Sequence, residues 1–304
     1  MRRRRAGFSL IEITVVLAIV GVLGSTIGLL LMRQQRFYRG TSELITTRQS
    51  VRDAIEVLTT DIRGMSVADT ARLLADSAIE FFSTIGTSVV CGNLGPSEVG
   101  LPPASTLGGP LGSFATTPDT GDLALFYVDA GSSATQWHRY RITGFGARTL
   151  STTCPPSSGF SRDADLAAGA KGFALSLDAV VDAGIHSGSP VRFERRGRYS
   201  LYRASDGDWY LGYRRCNAIG ASTCGGIQPL SGPYRQYDPD PGRSGLAFEY
   251  FDRSGSKIQG SPLSLARIDI TARAASRQNL LFEGRRSTPA DSAHVLVAVR
   301  NRVR

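Results

Sequence analysis

The run of residues from Ile13 to Met32 constrains the fold of this chain more than any other feature. It contains twenty consecutive residues and no charged side chain. As an α-helix, at about 1.5 Å per residue, it would be about 30 Å long, which matches the hydrocarbon thickness of a bilayer. Four arginines at residues 2–5 precede it, and such positive charge marks the cytoplasmic end of a membrane helix. The sequence predicts a single-pass membrane protein with a cytoplasmic N terminus.

A cleavable secretory signal is the alternative interpretation of this apolar run. Such a signal has a shorter apolar region that ends at a cleavage site of small residues. Here the run continues through Gly24, Ser25 and Gly28 into further leucines, and a polar helical stretch follows. These features favour a helix that is retained. The net charge of +9 includes the four N-terminal arginines, so the excess is partly a local targeting signal and not a global nucleic-acid-binding footprint.

Glu12 lies at the edge of the apolar run. An ionised carboxylate in that position costs on the order of 2–4 kcal/mol on membrane-insertion scales. One interpretation is that the side chain reaches the interface and has no further role. The other is that it pairs with a specific positive group.

The residues around Glu12 resemble the class III signal of type IV prepilins. Basic residues come first, then Gly7-Phe8-Ser9-Leu10-Ile11-Glu12, then the apolar helix, in the fixed order of that motif. The resemblance implies cleavage between Gly7 and Phe8 by a prepilin peptidase on the cytoplasmic face, and N-methylation of the new Phe8 amine. It also places Glu12 at the position of the family's near-invariant glutamate.

The resemblance gives Glu12 a partner. Cleavage would leave a cationic amine on Phe8, close to the membrane. In a filament, the Glu12 carboxylate of one subunit can pair with the Phe8 amine of the next. Because unpaired charges are expensive in lipid, this pairing would favour assembly and set the axial register.

The chain after Met32 predicts an amphipathic continuation of the same helix. Apolar residues recur at intervals of i, i+4, i+7, i+11 and i+14, so they share one face. They are Val51, Ile55, Leu58, Ile62 and Met65, extended upstream by Phe37 and Leu44. Gly64 is a candidate C-terminal end. We expect this stripe to pack on a globular head; an isolated coiled-coil stalk is the alternative, although sustained heptads are lacking.

The remaining sequence predicts a β-rich head. Residues 86–121 are rich in Gly, Pro, Ser and Thr and are expected to form a long loop. Strands are predicted at residues 122–128 and 136–143. A hairpin that turns at Arg196-Gly197 is predicted at residues 191–204, and residues 208–215 are expected to pair with its second arm. Alternating patterns near the C terminus indicate antiparallel strands with one buried face.

The predicted fold class is therefore α+β, with a long N-terminal helix packed on an antiparallel pilin-like head. The predicted divisions are a cleaved basic leader (1–7), a transmembrane and filament-core helix (8–32), an amphipathic helix (33–65), a loop-rich connector (66–121) and the head (122–304). The segment 50–66 and the order of the last three strand-like segments resemble PilW-type minor pilins and J-type pseudopilins of type II secretion.

The four cysteines, Cys91, Cys154, Cys216 and Cys224, all follow the apolar segment. The even number and the absence of a C-x-x-C pair favour disulfides in an oxidising compartment over a zinc site. Cys216 and Cys224 flank a Gly/Ser-rich turn, which favours pairing them and leaves Cys91 with Cys154. Free buried thiols are the alternative.

No local arrangement of catalytic residues, P-loop or dinucleotide fingerprint is recognisable, so we expect neither an enzyme nor a cofactor or metal. Asp238 and Asp240 could hold calcium, but a plain turn is favoured because oxygen ligands are too few. Arginines 192, 195, 196, 198, 214 and 215, with tyrosines nearby, could contact DNA. A solvated sheet face is the favoured interpretation.

The resemblance implies a minor pilin that primes or caps a type IV pilus. Its expected partners are the prepilin peptidase, other minor and major pilins or pseudopilins, and the inner membrane, with the head in the periplasm. A minor pseudopilin of a type II secretion system is the first alternative. A tip adhesin whose head binds DNA or a surface ligand is the second.

Overall fold

A computed structural model describes residues 9–65, 73–106, 109–128, 136–217, 223–258, 264–276, 280–282 and 285–299. Helix α1 runs from Leu10 to Arg63 without interruption, and 54 residues of α-helix extend for about 80 Å. A predominantly antiparallel β-sheet follows it. The predicted α+β architecture, a long N-terminal helix before an antiparallel domain, is confirmed, although the domain is richer in strands than expected.

Short polar contacts define the two ends of α1. Ser9 is the N-cap, and its hydroxyl oxygen accepts a hydrogen bond from the backbone N–H of Glu12. At the other end, the N–H of Gly64 donates to the carbonyl oxygen of Thr60 at 3.2 Å. Arg63 lies in the last turn, where a cation is favourable beside the unpaired carbonyls. Gly64 ends the helix, as the sequence predicts.

The strands and short helices of the head follow in chain order. The strands are β1 (Leu73–Leu74), β2 (Ala78–Val89), β3 (Gly92–Gly95), β4 (Glu98–Leu101), β5 (Ser113–Phe114), β6 (Leu123–Val128), β7 (Gln136–Thr149), β8 (Lys171–Leu177), β9 (Pro190–Arg203), β10 (Trp209–Arg215), β11 (Gln228–Tyr234), β12 (Leu246–Phe251), β13 (Arg267–Ala275), β14 (Leu280–Phe282), β15 (Arg285–Ser287) and β16 (Ala290–Ala298). Helices α2 (Leu150–Thr153) and α3 (Asp163–Ala167), with a 3₁₀ turn at Pro156–Ser158, lie between β7 and β8.

One large sheet unites most of these strands. Its principal order is β12-β13-β11-β10-β9-β6-β7-β8-β4-β3. Strand β2 pairs along most of β9, from Ala78 opposite Ser200 to Val89 opposite Pro190. Strand β16 pairs with β13 along the full length of both. Strands β14 and β15 form a separate pair.

The C-terminal half of α1 packs on the end of this sheet that contains β13 and β16. Val51, Leu58, Ile62 and Met65 are buried in one core with residues of β2, β9, β12, β13 and β16, and Ile55 is partly buried against it. This part of the predicted stripe is confirmed, and it excludes an isolated stalk. Phe37 is 67% exposed, and the first buried position on α1 is Gly40. The upstream extension of the stripe therefore lies outside the head core.

Two expectations for the middle of the chain are wrong. Strands β1 to β5, between Leu73 and Phe114, lie within the stretch 66–121 that was expected to be a loop-rich connector. The side chains of Phe81 and Phe82 on β2 are buried. The polar end of the same strand, at Thr87 and Ser88, also pairs with β9. The composition of 86–121 resembles a loop, but threonine and small residues are compatible with a paired strand.

The second correction concerns β9. Residues 190–203 form one continuous strand with no turn at Arg196-Gly197. A Cβ atom on Gly197 would lie 2.5 Å from the ring of Tyr213, so the glycine provides room for a cross-strand aromatic ring. The turn occurs after Arg203, and Trp209 pairs with Arg203 as β10 returns. The pairing of 208–215 with the second half of 191–204 is therefore confirmed.

Candidate assembly site on the N-terminal helix

The described part of the head leaves the N-terminal half of α1 uncovered. Within Leu10–Arg63, a stretch of 18 largely apolar residues is not buried at any position. Leu10, at 81% exposed, and Leu30, at 63%, are typical of the aliphatic side chains along this segment. A soluble monomer rarely exposes so large an apolar surface. By length and composition this helix can cross a membrane.

Polar side chains inside the apolar segment are satisfied within the helix. The hydroxyl of Thr14 donates to the carbonyl of Ile11 at 2.9 Å. Ser25 and Thr26 both donate to the carbonyl of Val22 at 2.8 Å. In lipid, an unsatisfied hydrogen-bonding group costs several kcal/mol. These local bonds make the three hydroxyls compatible with a hydrocarbon environment.

Glu12 differs from these hydroxyls. It lies in the first turn of α1, where the unpaired N–H groups favour a negative charge. Its backbone N–H donates both to the carbonyl and to the hydroxyl oxygen of Ser9. Among the described residues its carboxylate has neither a hydrogen-bond nor an ion-pair partner. Gly7 and Phe8 lie outside the described residues, so their predicted roles remain predictions.

Hydrogen bonds between α1 and distant strands fix the head on the helix. Ser50 donates its hydroxyl to the carbonyl of Gly232 at 2.7 Å, and Tyr234 donates its hydroxyl to the carbonyl of Ser50 at 2.5 Å. Burial raises the pKa of Tyr234 to about 12. Tyr199 donates to the carboxylate of Asp61, and burial, together with that negative charge, raises the pKa of Tyr199. Sequence periodicity gave no sign of these contacts, since the partners are far apart in the chain.

The arginines that suggested DNA binding are largely neutralised by carboxylates. Glu80 is fully buried and accepts from Arg196 Nε at 2.6 Å and from Arg198 Nε at 2.7 Å. Arg195 donates to Asp122 through Nε at 3.0 Å and Nη2 at 2.7 Å.

Arg215 and Arg192 are likewise paired with carboxylates. Arg215 bridges Asp119 at 2.8 Å and Asp122 at 3.0 Å. Arg192 lies 3.0 Å from Glu194 and stacks over Trp137. The pairs with Glu80 link β2 to β9, and the pairs with Asp119 and Asp122 link β9 and β10 to the segment before β6. These contacts support a structural role for the arginines over a nucleic-acid surface.

Two disulfides are present, Cys91–Cys154 and Cys216–Cys224, which is the pairing that the sequence favours. A carboxylate oxygen of Glu80 lies within 4.8 Å of the sulfurs of Cys216 and Cys224. The disulfide uses both thiols, and two arginines hold the carboxylate. This group is therefore a poor ligand set for a metal ion.

Asp238 and Asp240 form a turn. The N–H of Asp240 donates to Asp238, and the N–H of Gly242 donates to Asp240. Arg243 Nε lies 3.4 Å from Asp238 and 3.2 Å from Asp240. Because a cation already lies between the two carboxylates, the geometry supports the turn interpretation over calcium binding.

Comparison with known proteins identifies the N-terminal segment. The family described as the prokaryotic N-terminal methylation motif matches residues 2–28. No curated protein and no solved structure matches the chain. The match includes Gly7, Phe8 and Glu12 and most of the exposed apolar segment.

The motif and the apolar helix together support a membrane-anchored protein of the type IV pilin or pseudopilin class. The motif implies processing by a prepilin peptidase and assembly with other pilins. The large β-rich domain that follows α1 is the part of the chain to which no relative was matched.

Proposed function

We propose that this chain is a structural, non-catalytic minor pilin that is incorporated in, or primes, a type IV pilus. The observation that carries the proposal is the combination, on one helix, of a prepilin motif with an apolar segment that the described part of the head leaves uncovered. The inner membrane covers this segment first, and the helices of neighbouring subunits cover it in the filament. A minor pseudopilin of a type II secretion system is the alternative.

The proposed assembly mechanism begins with cleavage between Gly7 and Phe8 on the cytoplasmic face and methylation of the Phe8 amine. Glu12 then lies in the first turn of the mature helix. Its carboxylate pairs with the amine of an adjacent subunit when the two helices have the correct axial offset. At any other axial offset the pair cannot form, and an unpaired charge remains in lipid at a cost on the order of 2–4 kcal/mol. The pair therefore selects the register.

The size of the head supports a minor subunit over a major one. A compact domain of the length that follows Met65 has a radius of gyration of about 18 Å, whereas packed helices lie about 8–10 Å apart. If every subunit of a filament carried a head of this size, the heads would be crowded around a core of closely packed helices. They fit more easily at a tip or at occasional positions.

The experiment that tests the proposal compares deletion of the gene with complementation by the wild-type and head-truncated chains. Filament number by electron microscopy and the secretion of extracellular enzymes are scored in the same strains. Loss of pili with normal secretion supports the minor pilin. Loss of secretion with normal pili supports the pseudopilin, and no effect on either phenotype contradicts both.

A further inference from the structure

Strand β16 lies at the edge of the large sheet. It pairs with β13 from Ala290 opposite Ala275 to Ala298 opposite Arg267, without a register shift. Among the strands that the structure describes, β13 is its only partner. The other edge of β16 is therefore open along nine residues, although the edge strands of soluble proteins are often very short.

The hydrogen bonds at the two ends of β16 show which backbone groups point away from β13. The N–H of Val299 donates to the carbonyl of Ala266 at 2.9 Å, and the N–H of Ser276 donates to the carbonyl of Pro289 at 2.8 Å. Hydrogen-bonded positions recur at every second residue of an antiparallel ladder, so the odd-numbered residues of β16 bond to β13. The N–H and carbonyl groups of its even-numbered residues point outward. These residues are Ala290, Ser292, His294, Leu296 and Ala298.

The second half of β16 carries the outward groups that the described part of the chain leaves open. In the first half, the carboxylate of Asp291 accepts a hydrogen bond from the N–H of Ser292 at 2.9 Å. No described residue outside the sheet accepts from the N–H of His294, Leu296 or Ala298. A further strand could therefore form a ladder with residues 294–298.

This edge also lacks the features that protect exposed strands. Proteins usually block such an edge with lysine, with proline or with a bulge. The segment 290–298 contains no lysine, arginine or proline, and Asp291 is its one acidic residue. Leu296 is 54% exposed on the outer side of the strand, whereas Val297 is buried on the inner side. An unprotected edge with this pattern is typical of a site to which another strand is added.

A second copy of this chain cannot fill the edge by symmetric pairing when both copies are anchored in one membrane. Helix α1 lies across one face of the sheet, and its Val51 and Leu58 share a core with β13 and β16. Two antiparallel copies of β16 would be related by a twofold axis perpendicular to the sheet. Rotation about that axis reverses every direction in the plane of the sheet, including that of α1. Since the two apolar segments would point in opposite directions, the geometry favours a strand from a different subunit.

We propose that the open edge of β16 accepts an extended strand from the head of a different subunit of the pilin class. The inference rests on the proposed function, because the prepilin motif implies assembly with other pilins. Backbone hydrogen bonds to residues 294–298 provide the attachment, and side chains select the strand. On the side of α1 the incoming residues lie beside Val295 and Val297 and have to be apolar. This contact joins the heads, whereas the proposed charge pair joins the helices.

The test places the photo-crosslinking amino acid p-benzoyl-phenylalanine at single positions of the full chain in its native host. Position 294 reports on the open edge, because the side chain of His294 is 53% exposed. Position 30 reports on the apolar segment of α1. Position 180 is the matched control, since Val180 is 71% exposed and follows β8. Mass spectrometry identifies each cross-linked protein and the segment that is attached.

The expected result is a cross-link from position 294 to the head of another protein that carries a prepilin motif, and none from position 180. Leu296→Pro removes an outward N–H and keeps the ladder with β13, so it should reduce the yield of this cross-link about tenfold. Leu296→Ala keeps the N–H and should leave the yield within about twofold. Thermal unfolding in detergent checks the fold of both variants, and Ala298→Pro replaces Leu296→Pro if that variant unfolds.

The two positions separate failure of this inference from failure of the proposed function. Cross-links to pilins from position 30 without one from position 294 overturn the inference and leave the proposed function intact. Absence of cross-links from both positions contradicts the proposed assembly itself. A cross-link from position 294 within the chain, to a second copy or to a protein without a prepilin motif also overturns the inference. Equal losses in the proline and alanine variants exclude strand addition, because the contact would then depend on the side chain.

Discussion

The hydroxyl oxygen of Ser9 accepts a hydrogen bond from the backbone N–H of Glu12 at 3.3 Å. This cap uses the hydroxyl of Ser9 and the backbone of Glu12, so the Glu12 carboxylate stays available to another group. Ser9 is the first described residue, and Glu12 lies in the first turn of the helix that it caps. In the proposed mature chain, which begins at Phe8, Glu12 is the fifth residue, and the proposed pairing uses this free carboxylate.

Replacement of Glu12 by valine should separate processing from assembly. The variant should still insert and be cleaved, because the apolar segment and Gly7 are unchanged. Its incorporation into filaments should fall about tenfold or more, since about 1.4 kcal/mol corresponds to a factor of ten and the charge pair is worth more than that in lipid. Quantitative immunoblots of sheared filaments and of membranes provide the measurement. Thr14→Val is the matched control, and normal incorporation of the Glu12 variant would refute the charge pair.

Glu80→Gln should destabilise the head strongly. The substitution leaves Arg196, which is 3% exposed, without its carboxylate. Breaking one partner of a buried pair costs about 3–5 kcal/mol. Urea unfolding of the full chain in detergent, followed by the near-ultraviolet signal, measures the change in the free energy of unfolding. Glu98→Gln disrupts the more exposed pair with Arg148 and should cost about 1 kcal/mol or less; equal effects would contradict the structural role of Glu80.

The stability of the contact between the helix and the head should depend on alkaline pH through Tyr234. Its pKa is raised to about 12 in the folded protein, against about 10 in an unfolded chain. The neutral phenol is favoured by folding, so its contribution is complete below pH 10 and is lost as the pH rises from about 10 to about 12. The loss amounts to about 3 kcal/mol, because each pKa unit corresponds to about 1.4 kcal/mol.

Unfolding titrations at several pH values should therefore show a shallower alkaline loss of stability for Tyr234→Phe than for the wild-type chain. Tyr38→Phe serves as the control, because Tyr38 is exposed on α1 outside the head. Parallel curves for the wild type and Tyr234→Phe would show that burial of this phenol does not contribute to the pH dependence.

Removal of the two disulfides should have unequal effects. Cys91 and Cys154 are 63 residues apart, and Cys216 and Cys224 are 8 apart. In the chain-entropy account, closing the longer loop stabilises by about 4 kcal/mol and closing the shorter one by about 2.5 kcal/mol. Paired Cys→Ser variants at each bridge, compared by thermal unfolding, measure the difference. A larger loss from the shorter bridge would contradict this ordering.

Sequence reasoning succeeded where the physical signal is local. The periodic spacing of Val51, Leu58 and Ile62 identifies the face of α1 that the head buries, because one helix face follows directly from residue spacing. The apolar run and the motif around Glu12 identify the anchor for the same reason. The alternation in the last strands likewise predicted β12, β13 and β16.

Contacts between distant residues could not be predicted. Glu80 and Arg196 are 116 positions apart, and their pairing depends on the register of β2 against β9. A basic run such as 192–198 therefore suggests a charged surface when the carboxylates that neutralise it are remote in sequence. Similarly, the glycine and serine content around Gly86 predicted a loop, because composition does not show that β9 is available as a pairing partner.

Mass analysis of the N terminus of the native protein tests the central claim most directly. The account predicts a mature chain that begins at Phe8 with one methyl group on its α-amine, and a Gly7→Asp variant that remains uncleaved in the membrane. A native chain that begins after Met32, or an unprocessed chain that still assembles into filaments, would contradict it.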